Sequence, residues 1–134
     1  MLSIIIPAYN EEGNIPTVYR EIVDAVPEET DPLEIIFVDD GSRDGTFSEI
    51  EKLSMQDSRV KGIRLSRNFG HQVALYAGLN EAGGDRVITM DADGQHPASL
   101  IPALTGKLDE GYDIVNTIRL ETEGVGGWKK TSSR

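Results

Sequence analysis

Three oxygen-bearing side chains, Asp91, Asp93 and Gln95, stand at i, i+2 and i+4 directly after the apolar run Val87-Ile88-Thr89-Met90. If the backbone stays extended there, all three project to one side. Hard oxygen donors of this kind suit Mg²⁺ or Mn²⁺. Two carboxylates neutralise a divalent cation and leave positions for phosphate oxygens, so the ion can bridge protein to a diphosphate. The same Asp- and Gly-containing segment also makes a turn between a strand and a helix opened by Pro97, and the triplet alone does not choose between the two readings.

Other polar clusters also follow apolar runs. Asp39-Asp40-Gly41-Ser42 comes after Glu34-Ile35-Ile36-Phe37-Val38, where a carboxylate can accept a nucleobase N–H or a ribose hydroxyl. It is also good turn and helix-capping sequence. Pro7-Ala8-Tyr9-Asn10-Glu11 offers an aromatic wall and an acid after the first apolar run. Arg64, Arg67 and Asn68-Phe69-Gly70-His71 bring cations close to a predicted helix start, where anions are favoured; they face phosphates or simply sit solvated. His71 and His96 stand apart from any clear ligand set and read as structural histidines. Arg119, Lys129 and Lys130 flank a glycine-containing stretch that can close over a diphosphate or an anionic acceptor.

The elements that must position these groups alternate. Leu2 to Pro7 reads as a buried strand, Asn14 to Val26 as a helix, Glu34 to Val38 as a strand and Thr46 to Met55 as a helix. Val60 to Leu65 follows as a strand, Gln72 to Ala82 as a helix, Val87 to Met90 as a strand, Pro97 to Leu108 as a helix and Tyr112 to Val115 as a strand. Such alternation implies right-handed crossovers and an α/β fold with a mostly parallel sheet flanked by helices. Ligands then bind beyond the carboxyl ends of the strands, which places the clusters after Pro7, Val38, Leu65 and Met90 on one rim. From Glu121 to Gly127 three glycines and two acids break the pattern, and a mobile loop leading into the start of a basic helix is expected over 119–134.

With 134 residues, one domain is the expectation. The balance of 23 acidic against 13 basic side chains, a net charge of −10, opposes diffuse binding to nucleic acid or anionic lipid, so bound phosphate must be met locally. The absence of cysteine excludes disulfides, thiolate metal sites and a thiol nucleophile, and fits a cytoplasmic setting. The apolar start lacks a basic leader and makes a poor signal peptide. No run approaches the roughly 20 apolar residues that a membrane helix needs.

Taken together, Ile4-Ile5-Ile6-Pro7-Ala8-Tyr9-Asn10-Glu11, Val38-Asp39-Asp40-Gly41-Ser42-Arg43-Asp44-Gly45-Thr46 and Met90-Asp91-Ala92-Asp93-Gly94-Gln95-His96-Pro97 resemble the family 2 glycosyltransferases. The branch they look most like is that of dolichol- or polyprenol-phosphate mannosyl- and glucosyltransferases. The resemblance implies a GT-A fold, a Rossmann-like nucleotide-diphospho-sugar transferase architecture. It also implies inverting transfer of a sugar from a donor of the UDP-glucose or GDP-mannose type to a polyprenyl phosphate, for a cell-envelope glycan.

By matching positions, the resemblance puts Pro7, Tyr9, Glu11, Asp40, Asp91 and Ala92 around the nucleotide sugar, and Asp93, Gln95 and Asp91 at Mg²⁺ or Mn²⁺. It gives catalytic roles to Asp91, Asp93 and Arg119, and makes Leu120 to Trp128 the mobile acceptor loop. Residues 1–118 would then be the nucleotide-sugar-binding core, with the domain truncated on its C-terminal side. The implied location is the cytoplasm, at the membrane face through other parts of the protein; nothing points to a particular oligomer. The chain departs from the family at Gly94, where relatives often have Leu, and at Asn116-Thr117-Ile118, where they have Gly-Ser before the arginine.

Two other small α/β classes fit less well. A phosphorylation-dependent receiver wants its acidic pair after the first strand, whereas the pairs here follow the second and fourth. A dinucleotide-binding oxidoreductase wants G-x-G-x-x-G after the first strand, and none is present. The remaining alternative is a nucleotide-sugar-binding remnant without catalysis.

Overall fold

The computed structural model describes residues 1–28, 30–122 and 125–133, with side chains as far as residue 119 except that of residue 29. It divides into two compact units, Met1–Ser99 and Leu100–Arg134.

The first unit is a four-stranded parallel sheet in the order β3-β2-β1-β4, formed by β1 (Leu2–Ala8), β2 (Leu33–Asp39), β3 (Val60–Arg64) and β4 (Arg86–Thr89). Every residue of β1 and β2 is buried, which is why both read as nearly unbroken apolar runs rather than alternating ones. From β1 the chain steps outward through β2 to β3. It then returns across the sheet to β4 on the other flank of β1, and that reversal makes the switch in strand order.

The crossovers are helices α1 (Ile15–Ala25), α2 (Thr46–Gln56) and α3 (His71–Glu81). Ile15, Val18 and Ile22 of α1 and Ile50 and Leu53 of α2 are buried at helical spacing. Ala74 of α3 packs with Ile5, Ile36 and Val38. Close approach of α3 depends on Gly78: a Cβ there would lie 2.4 Å from Ile5 Cγ2 and 3.1 Å from Val38 Cγ2.

Polar side chains tie the other end of the sheet. Glu34 is buried, accepts from Ser3 Oγ at 2.5 Å, from the Gly83 N–H at 2.5 Å and from Lys61 Nζ at 2.7 Å, while Ser3 Oγ accepts the Gly84 N–H. Burial raises the Glu34 carboxyl pKa, but these donors outweigh it and bring it down to about 2. Asp57 takes a hydrogen bond from Tyr19 at 2.7 Å and a bidentate pair from Arg59, Nε to Oδ1 at 3.0 Å and Nη2 to Oδ2 at 2.8 Å, fastening α1 to the segment before β3.

A 3₁₀ turn, Ala98–Leu100, lies at the boundary. The second unit contains α4 (Ile101–Asp109) and the antiparallel pair β5 (Ile114–Thr122) and β6 (Val125–Ser133). Two expectations change here. The helix expected from Pro97 begins at Ile101, with Pro102 in its first turn, because the residues after Pro97 tighten into the 3₁₀ turn first. The basic helix expected towards the C-terminus is instead strand β6, whose backbone pairs with β5 from Thr122↔Val125 to Ile114↔Ser133. Val125, Thr131 and the β-branched residues of β5 favour strand, and a hairpin partner overrides what glycine suggests locally. Glu123 and Gly124, at the centre of the predicted acceptor loop, lie outside the described residues.

Candidate functional site

Beyond the carboxyl ends of β1, β2 and β4, a cleft of about 340 Å³ opens in the first unit, on the side where strand order switches. Pro7, Ala8, Tyr9 and Glu11 line it from β1, Asp40 from β2, Asn68, Gly70, His71 and Ala74 from the start of α3, and Asp91, Ala92 and Asp93 from β4. Seven residues singled out in the sequence, Pro7, Tyr9, Glu11, Asp40, Asp91, Ala92 and Asp93, therefore line one cleft.

The loops that carry them interlock. Asn10, at φ 52°, donates its N–H to Ser42 Oγ at 2.9 Å and accepts the Arg43 N–H at 3.0 Å. The Glu11 N–H donates to Thr46 Oγ1 at 2.8 Å, and Glu12 accepts the Gly45 N–H at 2.9 Å. Burial raises the Asp44 carboxyl pKa, but the Thr46 hydroxyl and N–H and the Glu12 N–H donate to it and hold it below its usual range. Tyr9 sits at the end of this braced loop, 43% exposed, with its ring available as a flat wall.

The adjacent acids Asp39 and Asp40 point to different surroundings, as successive strand residues must. Asp39 is fully buried, accepts the Ser42 N–H at 3.0 Å and stands 3.6 Å from Arg64 Nε. Asp40 faces the cleft and accepts three times: from the Phe69 N–H at 2.8 Å, the Gly70 N–H at 3.0 Å and Asn68 Nδ2 at 3.1 Å. It thus holds the turn that begins α3, while an ionised carboxylate retains acceptor capacity beyond those bonds. Gly41 makes this possible, at φ 71° and so close that a Cβ would lie 2.3 Å from the Arg67 carbonyl carbon.

Asp91, half-exposed, follows Met90, whose N–H donates to the Ile5 carbonyl at 3.0 Å. Its own N–H donates to His96 Nδ1 at 2.9 Å. Its two carboxylate oxygens lie 3.8 Å from His71 Nε2 and 3.7 Å from His96 Nε2, too far for hydrogen bonds but facing one imidazole each. Asp93 is exposed and accepts the Gln95 N–H at 2.9 Å across Gly94, which adopts φ 78°.

No three His, Cys, Asp or Glu side chains among the described residues converge as a preformed metal cage. Asp91, Asp93 and Gln95 nevertheless bring hard oxygen donors to one loop, and a cation that takes so few protein ligands would keep positions for phosphate oxygens, as Mg²⁺ commonly does. The residues present fit such a cation on the chemistry of the donors.

The sequence reading puts the cluster after Leu65 on the rim, and Asn68, Gly70 and His71 of that cluster line the cleft; it does not foresee the bracing by Ser42 and Thr46. Their common signal is position, since each stands after a strand end. Arg64 and Arg67 do not line the cleft; Arg64 lies over the Phe47 ring at 5.1 Å and Arg67 over Phe69 at 4.4 Å. Gln95 lies just past the lining residues, and Arg119 is an exposed residue of β5 in the second unit.

Comparison with known proteins matches residues 3–134 to the model of Glycosyl transferase family 2. A relative, the undecaprenyl-phosphate 4-deoxy-4-formamido-L-arabinose transferase of Proteus mirabilis (strain HI4320), is 39% identical over 135 residues, covering 99% of this chain and 41% of the relative. Among solved structures, the mannosyltransferase PcManGT from Pyrobaculum calidifontis, in complex with GDP-Man and Mn²⁺, is 28% identical with a TM-score of 0.65, over 76% of this chain and 30% of that one. S. aureus TarS in complex with UDP-GlcNAc is 26% identical with a TM-score of 0.74, over 94% of this chain and 36% of that one. The chain thus spans well under half the length of each.

Proposed function

The chain belongs to glycosyl transferase family 2, and we propose that it forms the donor-binding part of an inverting glycosyltransferase that uses a nucleotide-diphosphate sugar, a divalent cation and a polyprenyl-phosphate acceptor. The observation that carries this reading is the convergence of Tyr9, Asp40, Asp91 and Asp93 on one cleft at the strand-order switch. The Proteus relative is named for an undecaprenyl-phosphate acceptor, and PcManGT was captured with GDP-Man and Mn²⁺.

In this reading the Tyr9 ring stacks on the base, between Pro7 and the Glu11 backbone. Asp40 accepts a further hydrogen bond from base or ribose with the capacity left after it has secured the α3 turn. Ala92, small and buried, lets the sugar-diphosphate lie against the backbone beside Asp91. Asp93 and Gln95, with Asp91 beside them, would hold Mg²⁺ or Mn²⁺, which would supply positive charge against the diphosphate leaving group. The acceptor phosphate oxygen forms its bond to the anomeric carbon as the bond to the diphosphate oxygen breaks. Because that acceptor is already an anion, no proton has to be removed, and positioning carries much of the catalysis. Arg119 is assigned to phosphate and Leu120 to Trp128 to the acceptor side, by family position.

No helix among the described residues is long and apolar enough to cross a membrane. A polyprenyl-phosphate acceptor would put the reaction at the cytoplasmic face of a membrane, reached through other parts of the protein. A second reading is that this chain binds nucleotide sugar without transferring it.

The test is calorimetric titration of UDP-glucose and of GDP-mannose into the protein with Mn²⁺, with EDTA, and with Asp93→Ala. Binding of one donor that is lost in both controls supports the donor site and identifies the base. A folded chain that binds neither donor refutes it. Transfer to undecaprenyl phosphate, followed by radiolabel, separates the enzyme from the binding-only reading.

A further inference from the structure

We propose that His96 is a positioning residue for the cation loop, acting through Asp91 by its Nδ1 atom. This rests on the assignment of Asp91, Asp93 and Gln95 to the cation. The loop from Asp91 to His96 leaves β4 at a fixed point, because the Met90 N–H is bonded to the Ile5 carbonyl at 3.0 Å. It reverses at Gly94, with φ 78°, and is pinned inside by the Gln95 N–H on Asp93 Oδ1 at 2.9 Å. What closes it is the Asp91 N–H on His96 Nδ1, also at 2.9 Å.

A ring nitrogen that accepts a hydrogen bond carries no proton, so the His96 proton resides on Nε2. That Nε2 stands 3.7 Å from Asp91 Oδ2. One imidazole therefore braces the main chain of Asp91 and faces its carboxylate. With the acceptor gone, the Asp91 N–H turns to water and the spacing between the Asp91 and Asp93 carboxylates is no longer fixed by a closed ring. Partners that orient ligands in this way commonly matter for metal affinity although they never touch the metal.

The geometry selects its own control. Asparagine places its Oδ1 about where Nδ1 stands, whereas glutamine places its Oε1 nearer the position of Nε2. Only His96→Asn therefore restores an acceptor for the Asp91 N–H.

The experiment titrates Mn²⁺ into the protein with the nucleoside diphosphate it binds, reading free Mn²⁺ by electron paramagnetic resonance. Amide exchange at Asp91 is measured in parallel, for the parent and for His96→Asn, His96→Gln and His96→Ala. The Mn²⁺ Kd is expected to rise about tenfold or more in the Gln and Ala variants and to stay within about threefold in the Asn variant, with Asp91 exchange fast in the first two and slow in the third. Equal Mn²⁺ affinity in the parent and His96→Gln, or rescue by Gln as good as by Asn, overturns the inference while leaving the donor site standing. A variant that does not fold is replaced by the parent's own His96 tautomer, read by ¹⁵N NMR: a proton on Nδ1 overturns the inference. A parent that binds neither Mn²⁺ nor nucleotide refutes the donor site and the inference with it.

Discussion

The carboxylate of Asp40, at the end of β2, accepts the main-chain N–H of Gly70, thirty residues on, at 3.0 Å. Through this bond and its neighbours to Phe69 and Asn68, one acid both lines the cleft and fixes the start of α3.

Asp40→Ala removes all three hydrogen bonds, and the released donors lie near solvent, so the cost is moderated. A loss of about 2 kcal/mol in urea unfolding is expected, with about half of it recovered by Asp40→Asn. Loss of donor affinity in Asp40→Asn as large as in Asp40→Ala, despite its partly recovered stability, separates the ligand-binding role from the structural one. Unchanged stability in Asp40→Ala contradicts the role assigned to the turn.

Gly41 and Gly94 both adopt positive φ, at 71° and 78°, but a Cβ at Gly41 meets the Arg67 and Asn68 backbone while one at Gly94 meets nothing within 4 Å. Gly94→Ala should therefore cost only the left-handed backbone, about 1–2 kcal/mol. Gly41→Ala adds a clash with main chain that cannot rotate away, and about 3 kcal/mol or more is expected. Thermal unfolding of the two variants side by side measures the difference; equal losses would mean that φ alone sets the cost.

Glu34 gives a prediction in pH. Its folded pKa of about 2 lies below the ordinary 4.5, so it contributes stability that is fully present above the ordinary value and is lost as pH falls from there towards 2. Its contribution is at most about 3 kcal/mol at neutral pH. Unfolding free energies measured between pH 7 and 2 should fall more steeply for the parent than for Glu34→Gln. Asp57, also depressed because Arg59 donates to it, adds to the slope in both proteins.

Much of the site is legible in the sequence because it obeys a topological rule. Buried apolar runs mark β1 and β2, and ligand-binding residues follow the strand ends, so Tyr9, Asp40 and Asp91 can be placed on one rim before any coordinate is known. What escapes is pairing between loops. Nothing local in Asn10 says that it bonds Ser42 and Arg43, and nothing in His96 says that its ring turns back on Asp91 rather than into a core. The neighbouring acids Asp39 and Asp40 look equivalent until the pleat sends one into the interior and the other to the cleft. Strand β6 escapes for the same reason, since Gly126 and Gly127 read as loop until β5 supplies a partner.

Tyr9 tests the base-binding wall. Its ring is 43% exposed at the end of a loop braced by bonds from Asn10 and Glu11, so truncating it removes surface without disturbing the brace. Stacking of a base on an aromatic ring is worth about 1–3 kcal/mol. Tyr9→Ala should therefore weaken nucleoside diphosphate binding about tenfold or more at unchanged stability, whereas Tyr9→Phe keeps the face and should bind as the parent does. Calorimetry with the nucleoside diphosphate, and with pyrophosphate as a base-free ligand, separates the contributions: Tyr9→Ala should affect the first and spare the second. Equal weakening of both ligands would mean that Tyr9 acts on the diphosphate end of the cleft, and the orientation assigned to the donor would have to be reversed.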